Sequence, residues 1–348
     1  TGCISIGVVN PLSIYTYLYN QFFVHLCINQ NIVLMKRITL LSIMMLSILS
    51  LFAQGIETTL SKHNFFYAGQ SKRLRMFTIQ NGEVVRSFEN KEWKGEISDA
   101  ILMNDGHILL AHQYGIAEID GNDKTLWHYE APKGTEIHTI QPIGDTHVVF
   151  VQNGKPAKVI VMEIPSLKIV SEFEIPTSER GSVHGQFRNA RLTSRGTLLV
   201  ANMGMGFVSE YASNGNEIYR WKVGGPWSVS ETPRGNIMIV ARKGVLKEIT
   251  RIGNTVWELN SNDFGINQPQ KMVRLKNGNI IVNNWYNEWN KTPMDSINAP
   301  LQAVEITPQG NVVWKLCSWK KPDLGPSTTI QPLDQIVNRK RLFFGDYN

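Results

Sequence analysis

Three residues of this chain have the types needed for proton transfer or covalent chemistry: His138, His184 and Arg188. Imidazole changes charge near neutral pH, so it can act as general base, general acid or nucleophile. A guanidinium beside it would hold an anionic group, such as a uronate or a sulfate, through paired N–H donors. His112, Tyr114, Gln152, Asn202, Trp227, Arg242, Gln270, Asn284, Trp285 and Tyr286 are candidate ligand-binding residues, with Lys243 and Trp289 beside them. Aromatic faces and amide donors together suit flat, hydroxyl-rich ligands such as sugars. Plainer roles compete. His138 is equally a hydrogen-bonded structural residue, Arg188 an ion-pair partner of Glu136 or Glu179, and the aromatics of "NNWYNEWN" packing under a long loop. No His/Cys/Asp set has metal-ligand spacing along the chain, and no G-x-S-x-G, H-E-x-x-H or phosphate loop occurs. Neither a metal nor a cofactor is expected.

The candidates run from position 112 to position 286, so only a fold that gathers distant segments can assemble them. A repeat supplies it. "LLAHQ", "LVAN", "MIVAR" and "VNNW" each follow a tight turn: Asn104-Asp105-Gly106, Ser194-Arg195-Gly196, Pro233-Arg234-Gly235 and Lys276-Asn277-Gly278. Apolar runs joined by such turns read as β-hairpins, because the turns need positive φ. A second phrase then places Glu118, Glu248 and Glu305 ahead of Trp127, Trp257 and Trp314 across a polar Gly/Asn turn, with Glu210 and Trp221 as a longer version. Each unit is thus four short strands, and no stretch after residue 54 keeps a helical period. First strands begin near Ser98, His138, Arg188, Trp227, Gln270 and Thr328, a mean spacing of about 46 residues, the period of β-propeller blades.

Thr139-Ile140-Gln141-Pro142 recurs as Thr329-Ile330-Gln331-Pro332, which marks equivalent innermost strands of two blades. The second copy has no hairpin after it, and the hairpin "NFFYAGQSKRLRMFTIQNGEVVRSF" has no first strand before it. Together they make one blade, so the C-terminal strand pairs with the N-terminal hairpin and closes the ring. The expected fold is all-β: a six-bladed β-propeller of four-stranded antiparallel blades, with seven blades as the alternative. The tail Arg341 to Asn348 is left over, and an extra strand on the closing blade would accommodate it.

The pattern in "QFRNARLTSRGTLLVANMGMGFVSEYASNGNEIYRW", "PWSVSETPRGNIMIV" and "GPSTTIQPLD" resembles the exported bacterial PQQ-like and arylsulfotransferase-like β-propeller repeat proteins. The resemblance spans the chain after its leader and implies architecture. It also implies, for arylsulfotransferase-like members, a histidine as transient sulfate acceptor helped by further His, Arg and Asn. A quinone-binding member would need a carboxylate set for calcium, and no equivalent is found.

In a propeller, the loops entering the first strands and those between second and third strands share one face. Residue variety is concentrated there, whereas the opposite face carries short repetitive turns that answer a backbone requirement only. The long loop "TSERGSVHGQFR" adds Glu179, Arg180, His184 and Gln186, and Glu96 and Glu136 stand two residues before Ser98 and His138. The functional expectation is a polar, anionic carbohydrate or aryl ligand bound on the loop-rich face around the central channel. An arylsulfotransferase-like enzyme using a channel histidine and a non-catalytic protein-interaction scaffold are the alternatives.

The first 34 residues contain no Asp, Glu, Lys or Arg and read as translated upstream sequence. Met35 to about Gln54 has a basic start, an apolar run and a small-residue end, the layout of a signal peptide. Residues 55–348 are then a single propeller domain, exported to the periplasm or secreted, with no membrane attachment after cleavage. Cys3 and Cys27 fall in the discarded part, so Cys317 alone remains and there is no disulfide framework. Without Lys36 and Arg37 the balance is 33 basic against 29 acidic residues, +4, with no basic run. That excludes a nucleic-acid partner. A small molecule or glycan is the expected partner, and the protein a monomer.

Overall fold

The computed structural model describes residues 59–69, 74–286 and 299–348. The segments read as upstream sequence and signal peptide lie outside these, as does Trp289. Six four-stranded antiparallel sheets form a closed β-propeller. The first blade comprises Asp99–Leu102, Ile108–Ala111, Gly115–Ile119 and Thr125–Glu130, and the second Glu136–Ile143, His147–Asn153, Ala157–Glu163 and Lys168–Ile175. The third holds Phe187–Leu192, Leu198–Asn202, Phe207–Tyr211 and Glu217–Lys222, and the fourth Pro226–Glu231, Ile237–Ala241, Val245–Ile249 and Thr255–Asn260. The fifth is Pro269–Arg274, Ile280–Asn284, Ala303–Ile306 and Val312–Leu316. Ser327–Pro332 completes the sixth, in the order Ser327–Pro332, Phe65–Gly69, Leu74–Gln80, Glu83–Asn90.

Position within a blade explains composition. Middle strands such as Leu198–Asn202 and Phe207–Tyr211 are buried on both faces; the first opens on an apolar run, and the second buries Ser209 and Glu210 among its apolar residues. Outermost strands such as Thr125–Glu130 and Glu217–Lys222 are largely exposed and bury chiefly Trp127 and Trp221. Six apolar clusters occupy the interfaces between successive blades; Phe66, Leu74 and Phe88 of the sixth, for example, pack on Ala100, Leu110 and Ala117 of the first. Closure pairs Tyr67 with Ile330 and Phe66 with Gln331, so the N-terminal hairpin gains its innermost strand from the C-terminal segment.

The repeated glutamates have a shared task. Glu210 of the third blade takes Arg251 of the fourth, Glu248 takes Arg274 of the fifth, and Glu305 takes His63 at 2.8 Å beside the sixth. Each carboxylate thus ties its blade to the next. Glu118 of the first blade is the exception, because its cation is Arg339 of the C-terminal tail, at 2.6 Å. The tail is not an extra strand. It crosses the turn face instead: Asn104 N–H donates to Val337 O at 3.0 Å, Gly144 N–H to Leu342 O at 3.1 Å, and Gly345 N–H to Gly196 O at 2.9 Å. Phe344 is fully buried in the cluster between the second and third blades. No helix among the described residues is long and apolar enough to cross a membrane.

Candidate functional site

The central channel is lined by the innermost strand of each blade. At its loop-rich mouth the strand-start residues Ser98, Arg188, Trp227, Gln270 and Thr328 enclose a space of about 10 Å³, room for one water. The chemistry converges beside it from three blades. Glu136 Oε2 stands 2.8 Å from His138 Nε2 and 2.8 Å from His184 Nδ1. Gln113 Nε2 donates to the other Glu136 oxygen at 3.1 Å. Ser98 Oγ lies 2.8 Å from His138 Nδ1, and Arg188 donates to Glu96 Oε1 at 2.5 Å. Arg188 also approaches His184 Nε2 to 3.1 Å and lies 4.8 Å over the ring of Trp227. Gly95 allows the approach: its φ of 95° is in the left-handed region, and a Cβ there would meet His112 O at 2.6 Å.

Protonation follows from these contacts. Burial lowers the pKa of His138 and Arg188 lowers it further, against the pull of Glu136, to about 4. The ring is therefore neutral at pH 7; its proton sits on Nε2 facing the carboxylate, and Nδ1 accepts from Ser98. Burial would raise Glu136, but hydrogen bonds from His138, His184 and Gln113 outweigh it and hold the carboxyl well below its ordinary range. Glu96 is likewise lowered, because Arg188 and the two histidines outweigh its burial. Two carboxylates thus stand around one guanidinium, with the two imidazoles between them.

Of the three residues expected to carry chemistry, His138 is wholly buried and has partners on both nitrogens, while the His184 side chain is 47% exposed. Arg188 is held by Glu96, rather than by Glu136 or Glu179, so its charge is already balanced. Trp227, Gln270 and Trp285 line the small cavity, Tyr286 is half-buried nearby in sequence, and Tyr114 is exposed and receives a hydrogen bond from Gln113 at 3.2 Å. His112 is not at the mouth: it is buried in a stack with Trp93 and His128, and its neighbour Gln113 makes the approach instead. Asn202 and Asn284 fasten loops, donating to Pro176 O at 2.9 Å and to Leu301 O at 2.8 Å. Gln152 sits on a second strand with its Oε1 buried and unpartnered among the described residues. Arg242 lies in a separate surface groove with Lys222, Lys243 and Lys247.

Glu96, Ser98, Gln113 and Glu136 are the members that sequence reasoning placed beside the site but did not assign to it. A signal existed. Glu96-Ile97-Ser98 and Glu136-Ile137-His138 repeat one phrase, and residues two apart on extended backbone share a face. Folding also creates what linear spacing lacks, since donor atoms of Glu136, His138 and His184 all lie within 4.8 Å of one another, a set able to ligate a divalent metal. A dication there would face Arg188 and would have to displace the hydrogen bonds to Glu136.

The turn face holds the larger opening, against the expectation that its turns serve the backbone alone. A cavity of about 410 Å³ opens there, lined by Gln141, Asn189, Arg191, Lys271, Thr329 and Gln331 among polar side chains. Arg191 and Lys271 of its lining rest on the fully buried Asp99, which Arg191 meets through both oxygens at 2.7 Å and Lys271 at 2.7 Å. Asn189 and Lys271 border both the 410 Å³ cavity and the small one, so this ion cluster separates the two mouths.

Fold and site define a six-bladed β-propeller with a polar plugged channel, and the comparisons agree on the fold. No protein-family model matches the chain, and no curated protein does. A crystal structure of a protein of unknown function from Bacteroides caccae superposes with a TM-score of 0.65 at 23% identity, over 78% of this chain and 99% of that one. A streptogramin B lyase structure gives 0.50 at 14% identity, over 74% and 84%. Virginiamycin B lyase from Staphylococcus aureus gives 0.50 at 12%, over 72% and 83%. These likenesses show the propeller, and no family model supports the PQQ-like or arylsulfotransferase-like resemblance.

Proposed function

We propose that this protein, exported as its leader implies, is a ligand-binding propeller that takes a hydroxyl-rich ligand of the carbohydrate class at its loop-rich mouth. The observation that carries the reading is Glu136, an ionised carboxylate hydrogen-bonded by one buried and one exposed imidazole. His138 fixes the carboxylate, and His184 presents ring edges to solvent where a sugar hydroxyl could bind. Trp285, Tyr286 and Tyr114 supply the flat faces. The preference turns away from the anionic ligand that Arg188 suggested, because that guanidinium is spent on Glu96. Neutral or amino sugars suit the mouth better.

The test is calorimetric titration of the full chain with neutral, amino and acidic monosaccharide glycosides, repeated on His184→Ala and Trp285→Ala. Binding of a neutral or amino sugar, weakened at least tenfold by His184→Ala, is expected. No binder in the panel, or one indifferent to both changes, overturns the reading. A transfer reaction of arylsulfotransferase type is the second reading. It rests on His184 alone, the half-exposed histidine with Arg188 3.1 Å from its Nε2, and requires aryl-sulfate turnover that His184→Ala abolishes.

A further inference from the structure

The ion cluster at the channel's midpoint is unbalanced. Asp99 carries one negative charge, and Arg191 and Lys271 carry two positive charges against it. Of the other charged residues lining the turn-face cavity, Arg274 is paired with Glu248, and Glu231 shares Arg251 with Glu210, its second oxygen accepting from Ser194 N–H at 2.7 Å. Uncompensated charge beside apolar walls is costly, and a counter-ion relieves it. A second observation points the same way. Asn189 is 2% exposed, its Oδ1 accepts from Val229 N–H at 3.2 Å, and its Nδ2 has no partner among the described residues. The bond to Val229 fixes which amide atom is which, so the orphan is a donor. The unsatisfied atom here is a donor beside two cations, so the complementary ligand is an acceptor-only anion.

Size and lining narrow the class. A cavity of about 410 Å³ falls in the range of small-molecule pockets and far exceeds an inorganic oxyanion. Ile101, Met238, Met272 and Ile330 line it together with the polar floor. We propose that the turn-face cavity is a binding site for a small organic carboxylate, its head group against Arg191, Lys271 and Asn189 and its apolar body against Ile101, Met272 and Ile330. The site is separate from the loop-rich mouth and is reached from the opposite face.

The experiment titrates the full chain with 4-bromobenzoate, with 4-bromobenzamide as its uncharged counterpart, and with sodium sulfate. The carboxylate is expected to bind at least tenfold more tightly than the amide and than sulfate, and the bromine anomalous signal from soaked crystals to lie in this cavity. Lys271→Met and Asn189→Asp should each weaken the carboxylate at least fivefold; Asn189→Asp keeps the acceptor that Val229 uses. Equal binding of the amide, no binding of the carboxylate, sulfate binding as tightly, or a bromine peak elsewhere overturns the proposal, and these arms need no variant to fold.

Discussion

The two mouths of one channel are built from the same six strands and differ in how their charges are paired. On Phe187–Leu192, Arg188 faces the loop side and is neutralised by Glu96, while Arg191, three residues further, joins the turn-side cluster. Glu96 and Asp99 divide in the same way, Glu96 taking Arg188 and Asp99 taking Arg191, while Lys271 borders both cavities and bonds Asp99. Arg188 therefore stands among two carboxylates, and Asp99 between two cations. Residue variety drew attention to the first mouth, yet the larger cavity belongs to the second. Depth along an inner strand, rather than loop length, decides which mouth a side chain serves.

The comparison can be broken most sharply at its shared floor. Asp99→Ala leaves Arg191 and Lys271 buried without their anion, and a loss of about 3–5 kcal/mol in urea unfolding is expected. An unchanged midpoint would show that the cluster does not hold the channel. Acidity separates the mouths next. The folded-state pKa of His138 is lowered from 6.5 to about 4, so the unfolded chain takes up this proton first and stability falls as pH drops from about 6.5 to 4. His112 is lowered to about 4 as well, mainly by burial, so the acid slope must be compared between wild type and His138→Gln, which should flatten it by roughly 1–2 kcal/mol.

On the turn side the window is alkaline. Burial lowers Lys271 to about 8, against the attraction of Asp99 and with Arg191 and Arg188 adding to the fall. The folded chain then releases this proton before the unfolded one, so this residue's contribution makes stability rise between about pH 8 and 10.5. Carboxylate affinity should fall several-fold through the same rise, read by calorimetry at pH 7 and pH 9.5, and Lys271→Met should remove the dependence. The smallest effect is expected at Arg242, which lies in neither mouth: Arg242→Ala should change stability by less than about 0.5 kcal/mol and leave both titrations unmoved.

The fold was legible because its information is local and repeated. Asn277-Gly278 and its counterparts state each hairpin, and the doubled Thr-Ile-Gln-Pro states closure, borne out by the pairing of Tyr67 with Ile330. The sites were less legible because their members meet only through space. Glu96, Glu136 and His184 come from segments around three blades, and nothing in any one segment says that they converge. Asn202 and Asn284 show the reverse, since amides that looked available to a ligand are consumed in fastening loops. Asp99 and Lys271 each follow directly on a strand-start residue, and only the paired strands show that they meet in the channel. The tail escaped because it pairs with no strand, and only burial of Phe344 gives it meaning.

The tail also bears on how the ring is held. Arg339 supplies the cation that Glu118 would otherwise receive from the second blade, and Phe344 plugs the seam beyond it. The segment that follows the ring-closing strand therefore fastens the first two seams from outside the repeat, and a chain cut before Arg339 would keep every blade strand while losing both fasteners.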